Sequence, residues 1–273
     1  GAGYPLALLD RIPGLAASTA KRLDAQAPGG ATALAQASDV IITILPTSAD
    51  VEAVLNEGLL AGIRPGALLI EMSSGLPERS RHFARLLQAA GARFIDAPVS
   101  GGVARAVTGE LSIMVGGDAQ DIERARPLLA AMGTTILPTG PVGSAHAMKA
   151  LNNLCSAAGL LIAAEALMIG KRAGLDPALM VDVLNVSTGM NNATQKKLKQ
   201  FILSRKFASG FGLDLMVKDL SIALDVAQQG KTPAPFAEQC RAVWTSAAAA
   251  LGPGRDHTEI ARLVEQLAQD ELG

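Results

Sequence analysis

An α/β domain followed by an all-helical domain is the fold class this sequence predicts. Three observations carry it. Up to about residue 140, short β-branched runs such as Val40 to Leu45 alternate with helical segments, the pattern of a doubly wound parallel sheet. After Gly143 no convincing strand follows, and helices can be drawn at 143–174, 177–186, 190–204, 214–229, 236–250 and 257–270. Between the two regions lies Gly143 to Leu175, which reads as one long helix with Gly174 and Asp176-Pro177 as its stop. Its middle is apolar on all sides, which marks a buried helix. Asn152, Asn153, Ser156 and Glu165 interrupt the run, so a core helix is expected here and not a membrane span.

Composition narrows the function classes. With 273 residues, one or two domains are expected. A net charge of −1 offers no general field for nucleic acid or anionic membrane, and 49% apolar residues exclude disorder. The two cysteines, Cys155 and Cys240, form no C-x-x-C and lie in apolar helical contexts. Buried free thiols in a reducing cytoplasm are expected. The start of the chain shows no secretory-signal pattern.

The first domain is expected to run as follows. Tyr4 to Leu9 is a strand, Ala16 to Ala25 a helix, and Ala31 to Ala37 a further segment. Val40 to Leu45 is a buried parallel strand, and Ser48 is a candidate N-cap for the helix after it. Strands follow at Ala67 to Met72, Arg93 to Asp96, Leu111 to Val115 and Thr134 to Leu137. Helices lie between them at Pro77 to Ala90 and Asp118 to Met132.

Gly1-Ala2-Gly3 precedes a strand and is not a phosphate-binding loop, which would follow a strand and open a helix. It fits instead the turn between a first helix and a second strand of a dinucleotide fold. Asp10, ending that strand, is then the acid for the ribose hydroxyls, with a plain turn aspartate as the alternative. On this reading the first strand, its Gly-rich turn and its helix are absent from the chain, a loss of roughly 25 residues. The expected organisation is an incomplete Rossmann-type dinucleotide-binding domain at 1–140 and an all-helical substrate and dimerisation domain at 141–273, joined by the long helix.

Five ordered segments carry a resemblance. They are Phe94 to Gly102 (FIDAPVSGG), Gly109-Glu110-Leu111 with Met114 to Gly117, Lys149 to Asn153 (KALNN), Glu71 to Ser74 with Pro77, and Phe211 to Asp219 (FGLDLMVKD). Together they resemble the β-hydroxyacid dehydrogenases, which include 3-hydroxyisobutyrate dehydrogenases and tartronate semialdehyde reductases. The resemblance implies roles by position: Lys149 as catalytic lysine, Asn153 as its partner one turn on, and Ser100, Gly101 and Gly102 as the loop for the substrate carboxylate. Leu45, Pro46 and Ser74 would contact the cofactor, and Lys218 would reach toward it. It also implies NAD or NADP as cofactor and a homodimer or homotetramer. Two departures stand out: the Gly-rich loop is missing, and Ala145 replaces a glycine common in relatives.

The chemistry agrees with that assignment. Oxidising an alcohol by hydride removal requires its hydroxyl proton to be accepted, and the reverse reaction requires a donor. A desolvated lysine at a helix start can serve. Asn153, at i+4 from Lys149, can hold the oxygen without adding charge. Glycines 101 and 102 leave backbone N–H groups open to a carboxylate, and Ser100 adds a hydroxyl. The competing reading of Lys149 is a lysine snorkelling from a helix end.

The remaining candidates read as structural. His146 is expected as a supporting or surface histidine, and His82 and His257 as solvated. No metal-ligand spacing appears. The basic run Lys196, Lys197, Lys199, Arg205 and Lys206 lacks interleaved aromatics beyond Phe201 and Phe207 and reads as a solvated helix face, not a nucleic-acid site. Ser187 to Asn192 either faces substrate or simply turns the chain.

The function expected is hydride transfer between NAD(P), NAD favoured through Asp10 over Arg11, and a small carboxylate-bearing β-hydroxy acid. The expected setting is the cytoplasm, without membrane or nucleic-acid partners. The alternatives are a sugar-acid dehydrogenase or an imine reductase on the same fold, and a non-catalytic scaffold.

Overall fold

The computed structural model describes residues 2–273, so the turn read at Gly1-Ala2-Gly3 begins outside the described residues. The chain divides into a first compact unit ending at Lys149 and a second, Ala150–Gly273.

The first unit is built on one mixed sheet. Its strands are β1 (Val40–Thr43), β2 (Leu68–Glu71), β3 (Arg93–Asp96), β4 (Val99–Ser100), β5 (Leu111–Gly116) and β6 (Gly133–Gly140). β1, β2 and β3 are parallel neighbours, and β6 runs parallel to β5. β5, however, runs antiparallel to both β3 and β4, which corrects the expectation of an all-parallel sheet. The cause is the length of the connection. Gly101 to Glu110 is shorter than the dozen or so residues a parallel crossover needs, so the chain turns back. Asp96↔Gly116 and Val99↔Ile113 share one register against β5. β3 and β4 are therefore one line of backbone, interrupted at Ala97-Pro98.

The unit's helices are α1 (Leu15–Leu23), α2 (Ala31–Ala37), α3 (Ser48–Val54), α4 (Leu60–Gly62, after a π-helical turn at Leu55–Leu59), α5 (Pro77–Ala89), α6 (Gly102–Thr108) and α7 (Ala119–Ala130). Two cores lie on the sheet's faces. One joins Ile41, Leu69 and Phe94 to Leu55, Leu59, Phe83 and Leu87; the other joins Ile70, Ile95 and Val115 to Ile122 and Leu129. Adjacent residues of one strand enter different cores, as the two-residue period requires. Thr47, not Ser48, caps α3, in a reciprocal pair with Asp50.

Tyr4 to Leu9 is not a strand. It makes one isolated parallel bridge, Ala7 with Gln26, and Tyr4, Leu6 and Leu9 are exposed. With no ladder beyond that bridge, the apolar pattern does not become a sheet element.

Helix α8 (Ser144–Arg172) crosses from one unit to the next. Half of its most apolar window is buried. The expectation of burial all round is corrected by one stripe: Met148, Cys155, Ile162 and Ile169, seven residues apart, are exposed. Cys155 is thus an exposed thiol, while Cys240 is buried.

The second unit holds α9 (Pro177–Asn185), α10 (Asn192–Lys196) with a π-helical continuation at Leu198–Leu203, α11 (Leu213–Gln229), α12 (Pro235–Leu251) and α13 (Ile260–Ala268), which follows a 3₁₀ turn at His257–Glu259. Leu160, Ala164, Leu167, Leu198, Leu220, Trp244 and Ile260 fill its core. Asn191 resolves the polar loop before α10. Its Oδ1 accepts from the Ala193 and Thr194 amides, and its Nδ2 donates to Gly159 O. It is a helix cap.

Candidate active site

The start of α8 is set by a carboxylate from the sheet. Asp96, the last residue of β3, is fully buried. Its Oδ1 accepts the Gly143 N–H at 2.7 Å and its Oδ2 the His146 N–H at 3.0 Å. A helix start leaves its first N–H groups unpaired and carries partial positive charge, so a carboxylate there satisfies both. Gly143 is needed: its φ is 91°, and a Cβ would lie 2.8 Å from Pro77 O. From this anchor Lys149 follows at the second turn and Asn153 one turn further, on one helical face. Both are buried, Lys149 with only 8% of its surface exposed, too little for the snorkelling alternative.

Around that anchor sits a buried ionic cluster. His146 Nε2 is 2.9 Å from Glu71 Oε2, and its Nδ1 is 2.6 Å from Ser80 Oγ. Burial pushes His146 toward the neutral form, but the hydrogen bond and charge of Glu71, with Asp96 behind them, prevail and raise its pKa. Glu71 is opposed by burial and lowered overall by His146 and Ser73. Burial wins at Asp96, which is raised despite His146 and the two amides. His146 is therefore not a surface histidine; of the two readings its burial leaves the supporting one.

The residues expected at the cofactor lie at the carboxyl ends of β1 and β2, where ligands of open α/β sheets bind. The Leu45 N–H donates to Ser73 Oγ at 2.8 Å, tying the Leu45-Pro46 segment to the Ser73-Ser74 turn. Thr43 Oγ1, at the end of β1, is buried without a hydrogen-bond partner among the described residues. An orphaned hydroxyl beside these segments fits a polar ligand there. Asp10 is exposed and its Oδ1 accepts the Ile12 N–H at 2.8 Å, the geometry of a turn aspartate. Arg11 turns to Asp50 at 3.4 Å, next to the Thr47 cap and Pro46.

Ser100 ends β4, paired with Ser112. Gly101 and Gly102 both have positive φ, 133° and 66°, and a Cβ on Gly101 would meet the Arg105 side chain at 2.7 Å. Only glycine suits both demands.

In the second unit, Asn153 Nδ2 donates to Asp219 Oδ2 at 2.5 Å, and Lys218 Nζ stands 3.6 Å from Asp219 Oδ1. Asp219 thus brings Asn153 and Lys218 together and fixes which way the Asn153 amide faces. Sequence reasoning chose Lys218 and passed over its neighbour. It also passed over Asp96 and Glu71, although both lie in the segments that carry the resemblance. A carboxylate ending an apolar strand was the available signal.

Two structural expectations are corrected here. His257 is buried, beside Ser209 at 2.9 Å and Phe211 O at 3.2 Å. Lys197 does not lie on a solvated face: its Nζ donates to Ser156 Oγ at 3.2 Å, and burial lowers its pKa to about 8. Among the described residues no group of His, Cys, Asp and Glu could hold a metal ion.

Comparison with known proteins agrees with this architecture. Residues 1–140 match the NAD binding domain of 6-phosphogluconate dehydrogenase, and residues 143–264 the NAD-binding domain described for NADP-dependent 3-hydroxyisobutyrate dehydrogenase. The chain is 35% identical to 2-(hydroxymethyl)glutarate dehydrogenase of Eubacterium barkeri over 237 residues, 86% of this chain and 78% of that one. It is 38% identical to mitochondrial 3-hydroxyisobutyrate dehydrogenase of Rattus norvegicus over 239 residues, 85% and 71% of the two chains. The structure of Mycobacterium tuberculosis 3-hydroxyisobutyrate dehydrogenase with L-serine superposes with a TM-score of 0.89 at 30% identity, covering 97% of this chain and 92% of that one. With its dinucleotide-type sheet and helical second unit, the protein is an NAD(P)-binding oxidoreductase. It belongs to the β-hydroxyacid dehydrogenase family.

The buried His257 gives a stability prediction. Burial first, and the Lys197 charge second, lower its pKa from 6.5 to about 4, against Asp256. The unfolded chain takes up a proton near 6.5 that the native state refuses until about 4. Its contribution is complete above pH 6.5 and is lost as the pH falls toward 4, by up to about 3 kcal/mol. Thermal midpoints measured from pH 7 to 4.5 should fall less steeply in His257→Gln than in the wild type. Parallel slopes would contradict this assignment.

Proposed function

We propose that the chain catalyses reversible hydride transfer between NAD(P) and a small β-hydroxy acid, with Lys149 as the proton-transferring group. The observation that carries this reading is the buried Lys149 side chain on α8, one turn before Asn153, whose amide Asp219 orients; in the oxidation direction its neutral amine takes up the proton and becomes the ammonium that serves the reverse reaction. The nicotinamide, when bound, supplies hydride exchange. Lys149 accepts the hydroxyl proton as the carbonyl forms, or returns it in reduction. Asn153 hydrogen-bonds the reacting oxygen without adding charge. Ser100 and the open N–H groups of Gly101 and Gly102 bind the carboxylate, and Lys218 reaches toward the cofactor. Leu45, Pro46 and Ser74 line its site.

Lys149→Ala should lower kcat by at least about 10²-fold, because the missing ammonium acts in the transition state, while leaving the far-ultraviolet circular dichroism unchanged. Near wild-type kcat in the folded variant would refute the assignment of Lys149 as the proton-transferring group.

Asp10 is the residue for cofactor choice on this reading. Its carboxylate would accept ribose hydroxyls and repel a 2′-phosphate. The pairing of Arg11 with Asp50 supports Asp10 as the deciding group. NAD is favoured, and Asp10→Ala should reduce the ratio of kcat/KM for NAD over NADP. A wild-type preference for NADP would reverse the assignment.

A homodimer or homotetramer is part of the same reading. Its support is the exposed stripe of α8 and the exposed Leu179, Val183, Val186 and Met190 of the second unit, apolar surface that a partner copy would cover. Light scattering at micromolar concentration should give at least a dimer. Ile162→Glu combined with Ile169→Glu should shift it toward the monomer, whereas a wild-type monomer would end the proposal. A cytoplasmic setting is supported by the unpaired Cys155 and Cys240.

A further inference from the structure

The cluster around His146 is not needed merely to close the helix start, since Asp96 already accepts two of its N–H groups. Its side chains come from different elements: Glu71 ends β2, Asp96 ends β3, Ser80 lies in α5 and His146 in the first turn of α8. The His146 and Asp96 side chains are wholly buried, and Glu71 is nearly so. Ser80 Oγ contacts both His146 Nδ1 at 2.6 Å and Leu76 O at 3.3 Å. His146 Nε2 contacts both Glu71 Oε2 at 2.9 Å and Ser73 O at 3.0 Å. The doubly protonated ring satisfies every one of these contacts. Nδ1–H donates to Ser80 Oγ, the Ser80 hydroxyl donates to Leu76 O, and Nε2–H is shared by Glu71 and Ser73 O. A neutral ring protonated at Nε2 would take the Ser80 proton from Leu76 O, and one protonated at Nδ1 would offer no donor to Glu71 and Ser73 O.

The cluster continues toward the segments expected at the cofactor. Glu71 Oε1 accepts the Ser73 N–H at 2.8 Å, and Ser73 Oγ accepts the Leu45 N–H at 2.8 Å. The turn closes directly onto the ring: a Cβ on Gly75 would lie 3.2 Å from His146 Cε1, 3.3 Å from Glu71 Oε2 and 2.8 Å from Ser48 Oγ. On the other side, His146 is three residues before Lys149, a neighbour on the helix surface. Hydrogen bonds and one helical turn therefore connect the Leu45-Pro46 segment, the Ser73-Ser74 turn and Lys149.

We propose that His146, held as an imidazolium between Glu71 and Asp96, is a positioning residue that fixes α8 against the Leu45-Pro46 and Ser73-Ser74 segments and so sets where Lys149 stands relative to the cofactor site. This rests on the reading of Lys149 as the proton-transferring group. A buried ionic cluster is a poor source of stability, since apolar side chains of similar volume often do as well or better. What such a cluster does provide is a directional seat. Placement matters because a misalignment near 1 Å can cost about 10²-fold in rate. The charged groups facing His146 are Glu71 from β2 and Asp96 from β3. α5 contributes Ser80, with Arg81 beside Gly143, and α3 contributes Ser48.

The test uses His146→Gln and His146→Leu in the full chain, assayed well below each variant's thermal midpoint, with Lys149→Ala and the Lys149→Ala double variants alongside. The wild-type ring nitrogens should show imidazolium ¹⁵N shifts at neutral pH without added cofactor. His146→Leu should lower kcat about tenfold or more and displace its pH profile. His146→Gln, which retains a donor toward Glu71, should recover part of the loss. Adding either His146 change to Lys149→Ala should lower the residual rate little further, because both act through one group. If His146→Leu does not fold, His146→Gln carries the test through its reduced kcat. A neutral ring at pH 7, or wild-type kcat in the folded His146 variants with only the midpoint lowered, would overturn the proposal. An inactive Lys149→Ala beside fully active His146 variants would overturn this inference alone. An active Lys149→Ala would overturn the reading beneath it.

Discussion

One carboxylate holds the site in place. Asp96 leaves the end of β3 and takes two N–H groups from the start of α8, at 2.7 and 3.0 Å. An acidic group at a helix start is favoured by the aligned peptide dipoles; a fully buried one is costly unless its oxygens are bonded. Here the two requirements coincide. The bonds that fix where α8 begins offset part of the cost of burying Asp96, burial still raising its pKa, and the position of every side chain in its first turns follows from helical geometry. β3 is itself held by parallel pairing to β2 and by its register against β5, so the helix start inherits the rigidity of the sheet.

Most of the architecture was legible in the sequence, because it rests on local patterns. The β-branched run at Val40 to Thr43 and the apolar run at Leu68 to Glu71 became neighbouring strands, and the long apolar segment after Gly143 became one helix. What failed was set by distant partners. Tyr4 to Leu9 has a strand's composition but makes a single bridge, and a strand exists only when something pairs along it. The direction of β5 depended on how many residues separate it from β4, which an alternation count does not weigh. The exposed stripe of α8 is as apolar as its buried faces, so composition could not tell them apart.

The site divides in the same way. Lys149, Asn153 and the two glycines are candidates that the sequence offers through the resemblance, and helical spacing and backbone freedom, which belong to the local chain, agree with them. His146, Asp96, Glu71 and Asp219 act through partners far off in sequence; 66 residues separate Asn153 from Asp219 and His146 from Ser80. A lone histidine ahead of a lysine carries no sign of the two carboxylates that the fold brings beside it. Lys197 and His257 show the same limit in reverse: a basic run and an isolated histidine look solvated until packing buries them.

The break at Ala97-Pro98 separates two duties along one line of backbone. On one side Asp96 steadies the helix that carries the lysine; on the other, Ser100 opens into Gly101, Gly102 and α6. None of the residues of α6 is buried, and β5 resumes in the register already set on the far side. The start of α8 is therefore tied to the sheet, while the segment that follows Gly101 answers to almost no packing constraint. Changes of length or charge from Val103 to Thr108 can therefore accumulate without moving the start of α8.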